Sequence, residues 1–69
     1  MDVRRQLGIR IKELREIASL SQEELAHRSS VHVTYLSGME NGKRNPSLLV
    51  LNRVATALNV KLGELFGRI

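Results

Sequence analysis

An all-α fold is the reading of this 69-residue chain, and three observations predict it. Apolar residues recur at intervals of three and four, the period of one helix face. Helix-starting residues (Asp, Ser, Pro) and helix-ending ones (Gly, Asn) punctuate these runs. No stretch alternates in the manner of a half-buried strand. Short connections between the segments then predict a compact bundle of five helices, one domain over residues 1–69.

The elements follow in order. The first helix, over residues 2–19, carries Leu7, Ile11, Leu14 and Ala18 on one face, with Asp2 as its N-cap. Ser21 and Glu24 form a capping box at the start of the second helix, Gln22 to Arg28. Leu25 and Ala26 face inward from it, and Ala26 is small where the third helix must cross. Ser29-Ser30-Val31 is the turn. A glycine would be the easy left-handed residue there, so Ser30 is strained or the turn takes another shape.

The third helix, His32 to Glu40, turns Leu36, Met39 and Glu40 to one side and Val33, Thr34, Ser37 and Gly38 to the other. Gly42 suits the left-handed position after it. Pro46 begins the fourth helix, capped by Asn45 or Ser47. That helix runs to about Leu58 and buries Leu48, Leu51, Ala55 and Leu58, with Val54 beside them. Asn59 is its left-handed cap. A short fifth helix near 61–67 buries Leu62 and Leu65.

Composition narrows the function. With no cysteine, disulfides and thiolate metal sites are excluded. No apolar run approaches the roughly 20 residues that span a bilayer, and the N-terminus has no secretory core, so the cytoplasm is the expected compartment and no membrane partner is expected. Eleven Lys and Arg against seven Asp and Glu give a net charge of +4, which suits a polyanionic partner. Acid gathers at Glu13, Glu16, Glu23 and Glu24, whereas Lys43 and Arg44 stand unopposed after the third helix. There is no nucleophile–base arrangement and no phosphate-cradling glycine loop, so no enzyme is expected. Glu24 and His27 have the spacing of a carboxylate-bridged metal pair but no further ligands, so no metal or cofactor is expected.

Two helices joined by a short turn form a helix-turn-helix, whose second helix commonly enters a DNA groove. The stretch from Ser21 to Asn41 is therefore the candidate DNA reader. Gly38 fits either a close approach to DNA or a glycine tolerated near a helix end. Thr34 and Ser37 can bond several base edges, and Val33 can pack on a thymine methyl. No Arg, Asn or Gln stands on this face, so direct readout should be modest, with the shape of the DNA contributing. His32 suits a phosphate, a purine N7, or simply a solvated cap.

Residues 10–66 resemble the helix-turn-helix domain of the Cro/phage-repressor family, also called XRE-like. The strings that carry the resemblance are LSQEELAHRS, YLSGMENGKRNPS and LNRVATALNVKLGELF. ENGKRNPS is also similar to the small controller proteins of restriction-modification systems. The resemblance implies a lambda-repressor-like five-helix domain that binds a pseudo-palindromic operator as a homodimer. By position it implies base contacts from His32, Val33, Thr34, Ser37 and Gly38. It implies backbone contacts from Gln22, Tyr35, Asn41, Lys43 and Arg44, and a structural bond between Arg15 and Glu40. The chain departs from the family at Ser30, where a glycine is usual, at Gly38, which presents no side chain, and at the apolar Leu49 and Val50.

Leu49, Val50, Phe66 and Ile69 are left over after the core stripes are assigned, which makes them the expected dimer interface. The expected function is a sequence-specific DNA-binding transcription regulator, such as a repressor. Its expected partners are double-stranded DNA, a second copy and RNA polymerase. The rival reading is a protein-interaction module, or the antitoxin half of a toxin pair, built on the same fold.

Overall fold

The computed structural model describes residues 2–67; Ile69, expected at the dimer interface, lies outside them. Four α-helices occur in order: α1 (Val3–Ile17), α2 (Gln22–Ser29), α3 (Val33–Glu40) and α4 (Leu48–Ala57). A 3₁₀ segment, Leu62–Phe66, follows them. No strand occurs among the described residues. The all-α class holds, but the expected fifth helix is this 3₁₀ segment of 5 residues. A run so short gains too few bonds to offset the nucleation of an α-helix.

The Asp2 carboxylate caps α1 by accepting from the Arg4 backbone N–H at 2.9 Å. Leu7 and Ile11 are buried and Leu14 is half-buried against the core, while Ala18 is exposed because the helix has already ended. Gly8 lets α1 close directly onto α3: a Cβ there would run into the carbonyl oxygens of Met39 and Glu40. Ile11, Leu25, Leu36, Val54 and Leu65 are fully buried where α1, α2, α3, α4 and the 3₁₀ segment converge.

All four helices end in one geometry. A residue with positive φ follows each: Ser19, Ser30 and Asn59 at 59° and Gly42 at 73°. The next N–H then reaches back to a carbonyl five residues earlier: Leu20 to Arg15, Val31 to Ala26, Lys43 to Gly38 and Val60 to Ala55. After α1, α2 and α4 the residue making that bond is apolar, and Leu20, Val31 and Val60 pack against the core. After α3 it is Lys43, which is exposed.

Two expectations about α4 need correction. Pro46 does not begin the helix. It stands before Ser47, whose hydroxyl accepts the Val50 N–H at 3.2 Å and fixes the start at Leu48. Leu48 is not in the buried stripe and is 67% exposed, while Leu51, Val54, Ala55 and Leu58 are buried. Leu62 in the 3₁₀ segment is only half-buried, whereas Leu65 is fully buried.

Candidate nucleic-acid interface

The site begins at the start of α2. The Glu24 backbone N–H donates to the Ser21 hydroxyl at 3.0 Å, and the Ser21 N–H donates back to the Glu24 carboxylate at 2.9 Å. That backbone N–H holds the Glu24 carboxyl below its ordinary range, with the Ser21 side chain contributing less. The turn then takes the left-handed form at Ser30, with φ 59° and ψ 41°. The chain therefore accepts the strain of a non-glycine residue there. Ser29 belongs to α2 rather than to the turn, and its hydroxyl is buried with no hydrogen-bond partner.

One side of α3 is locked to the frame. Leu36 and Met39 are buried, and the Glu40 carboxylate takes two bonds from Arg15, Nε to Oε2 at 2.7 Å and Nη2 to Oε1 at 3.1 Å. Gln22 Nε2 donates to the same Oε1 at 2.9 Å. Arg15 Nη1 also donates to the Leu20 carbonyl at 2.9 Å. The hydrogen bonds that Arg15 donates to Glu40 raise its pKa above the ordinary value, so the guanidinium stays charged although little exposed. The expected Arg15–Glu40 bond is thus present, and Gln22, expected only at the DNA backbone, is a third member of the cluster. Its signal was absent from local spacing because Gln22 and Glu40 are 18 residues apart.

The other side of α3 is open. His32 is the N-cap, with extended backbone and no side-chain cap bond. His32, Val33 and Thr34 are exposed, and Tyr35 and Ser37 are half-buried. Gly38 is half-buried, and the stem of Arg44 lies beside it: a Cβ at 38 would come within 2.9 Å of Arg44 Cγ. Arg44 Cζ stands 5.4 Å from the centre of the Tyr35 ring. Asn41, Lys43 and Arg44 are exposed on the loop after α3. The expected base-facing residues thus run along α3 from His32 to Gly38, and Tyr35, Asn41, Lys43 and Arg44 lie on α3 and the loop that follows it, while Gln22 stands at the start of α2. Leu49, expected at the dimer interface, is 61% exposed. With Leu48, Asn52 and Leu62 it lines a shallow apolar groove on α4 and the 3₁₀ segment. Val50 and Phe66 are half-buried against the core.

Among the described residues no group of His, Cys, Asp and Glu is arranged to hold a metal ion. No helix there is long and apolar enough to cross a membrane.

Comparison with known proteins matches a helix-turn-helix family model to residues 11–65. The control protein C.MunI of a Mycoplasma species is 42% identical over 69 residues, covering 99% of this chain and 93% of the relative. The control protein C.SmaI of Serratia marcescens is 38% identical over 68 residues, covering 99% and 81%. The crystal structure of the restriction-modification controller protein C.AhdI from Aeromonas hydrophila superposes with a TM-score of 0.90 at 43% identity, over 91% of this chain and 96% of that one. The exposed face of α3, the cationic loop beside it and these similarities together place the chain in the helix-turn-helix family, XRE-like in type, whose members are DNA-binding transcriptional regulators.

Proposed function

We propose that this chain binds a pseudo-palindromic operator as a homodimer, with α3 in the major groove, and regulates transcription from it. The division of α3 carries this reading. Its inner side is tied down by Leu36, Met39 and the Arg15–Glu40–Gln22 cluster. Its outer side is left uncommitted next to the cations of the following loop. His32, Val33, Thr34 and Ser37 face the base edges, and Gly38 among them leaves room that the Arg44 stem fills. Gln22, Tyr35, Asn41, Lys43 and Arg44 face the sugar-phosphate backbone, with Arg44 lying closest to the reading face. Gln22 keeps one amide hydrogen for phosphate after serving Glu40, beside the first-turn amides of α2. The similarity to restriction-modification control proteins supports a controller role in such a system, with RNA polymerase as a further partner. Such a regulator needs no catalysis and works in the cytoplasm, beside its DNA.

The dimer is proposed to form across the groove of Leu48, Leu49 and Leu62, flanked by Val50 and Phe66. One short helix spans too few base pairs for high specificity, and two half-sites about 34 Å apart solve this. The domain's longest extent, 29 Å, is of the same order.

A gel shift titrated with salt tests the proposal. Binding to the operator should weaken steeply as salt rises. The Lys43→Ala/Arg44→Ala double variant should bind roughly ten- to a hundredfold more weakly, with a shallower salt dependence by about two. Undiminished binding by that variant would remove the loop from the interface. Sedimentation of the chain with and without its operator, at on the order of tens of micromolar, should show a dimer in the complex. A monomer in both conditions would sink the dimer.

A further inference from the structure

Glycine is the poorest helix former after proline, yet Gly38 stands inside α3 on its outer side. The space its absent Cβ leaves is occupied. An added Cβ would meet Arg44 Cγ at 2.9 Å, Nε at 3.3 Å and Cδ at 3.6 Å. The stem of Arg44 therefore lies back across the helix from the loop. Its guanidinium is held a second time by the Tyr35 ring, at 5.4 Å from the ring centre. The loop itself is tied to the same residue, because the Lys43 N–H donates to the Gly38 carbonyl at 2.8 Å. Gly42, left-handed at φ 73° and closed in by the Arg5 backbone, sets the direction in which the loop leaves.

We propose that Gly38 and Tyr35 are positioning residues that seat Arg44 on the reading face of α3, and that Arg44 there reads a guanine edge in the operator. The inference rests on the DNA-binding reading above and changes one part of it, moving Arg44 from phosphate to base. The chemistry fits the gap that the face presents. Val33, Thr34 and Ser37 have no side chain that can make a two-pronged contact with one base. An arginine fork matches the O6 and N7 of guanine, the commonest discriminating contact in the major groove. An arginine already seated on a ring and a helix loses less freedom on binding than one waving from a loop. The glycine has a purpose on this account: it makes room for a side chain from elsewhere in the chain.

Selection of bound sites from random DNA, run in parallel on wild type and variants, tests this. Arg44→Ala should relax the preference at one guanine position of each half-site about tenfold or more, leaving other positions as they were. Arg44→Lys should keep the salt dependence and lose the same preference. Gly38→Ala should weaken preference at that same position, and should add nothing in an Arg44→Ala background. Its melting temperature should rise, because alanine replaces a helix glycine. Tyr35→Leu removes the other half of the seat and should act at the same position. Two results would overturn the proposal. One is a folded Gly38→Ala variant and a Tyr35→Leu variant that both keep the wild-type profile. The other is an Arg44→Ala variant that binds all sequences more weakly in equal measure, the mark of a phosphate contact. If wild type selects no sites at all, it is the DNA-binding reading that fails, before Arg44 comes into question.

Discussion

The ends of α1, α2 and α4 and the end of α3 share one backbone geometry and serve opposite purposes. In each a residue with positive φ is followed by an N–H that reaches back five residues. In the first three, the residue that closes the turn is Leu20, Val31 or Val60, and it packs on the core. At the end of α3 it is Lys43, exposed beside Arg44. An apolar residue at this place docks a helix end to the protein. A lysine there docks nothing, so α3 needs another anchor. That anchor is Glu40, the last residue of the helix, bonded by Arg15 and Gln22. A charge clamp on the inner side frees the end of the helix to present cations on the outer side. The difference separates holding from reading within eight residues.

If Glu40 replaces the missing apolar dock, removing its charge should have the largest effect. Glu40→Gln keeps the shape but leaves the Arg15 guanidinium, only 11% exposed, without its counter-charge. A loss of about 3 kcal/mol is expected, read by chemical unfolding, with little change in the sequence selected by the folded variant. An unchanged melting temperature would show that the clamp is not what holds α3. Exchanging the two kinds of helix end comes next. Val31→Lys puts a charge where the turn packs on the core and should cost about 2 kcal/mol. Lys43→Val should alter stability by less than about 0.5 kcal/mol. Equal effects from the two would dissolve the contrast. The smallest change expected is a gain. Ser30 occupies the left-handed region without being glycine, and Ser30→Gly should stabilise by about 0.5–1 kcal/mol after the added freedom of the unfolded chain is set against the relieved strain. A loss of stability would mean that the Ser30 side chain contributes something its backbone does not reveal.

What was legible in the sequence is local. Asp2 and Ser21 with Glu24 act on amides two or three residues away, so their spacing announces them, whereas before α4 the sequence leaves Asn45 and Ser47 both open and the structure selects Ser47. Gly42 and Asn59 announce helix ends because few residues accept a positive φ. Ser19 takes the same conformation without that signal, since serine is common in other settings. The α4 run Leu48-Leu49-Val50-Leu51 was illegible for a different reason. Four consecutive apolar residues cover more than a turn, so periodicity cannot say which are buried. Packing decided for Leu51 and left Leu48 and Leu49 exposed. Gly8 passed without notice. Its presence in a helix interior was the available clue, and its reason is the backbone of α3 lying against it.

By itself the sequence determined the all-α class, the order of the helices, the caps at Asp2, Ser21, Gly42 and Asn59 and the charge asymmetry around the third helix, because each arises from neighbours along the chain. Only the tertiary structure decided that the last segment is 3₁₀, that Gln22 joins Arg15 on Glu40, and that Arg44 lies over Gly38 against Tyr35. These are meetings of side chains from different elements. Their geometry comes from how the helices cross, which no spacing within a single helix encodes.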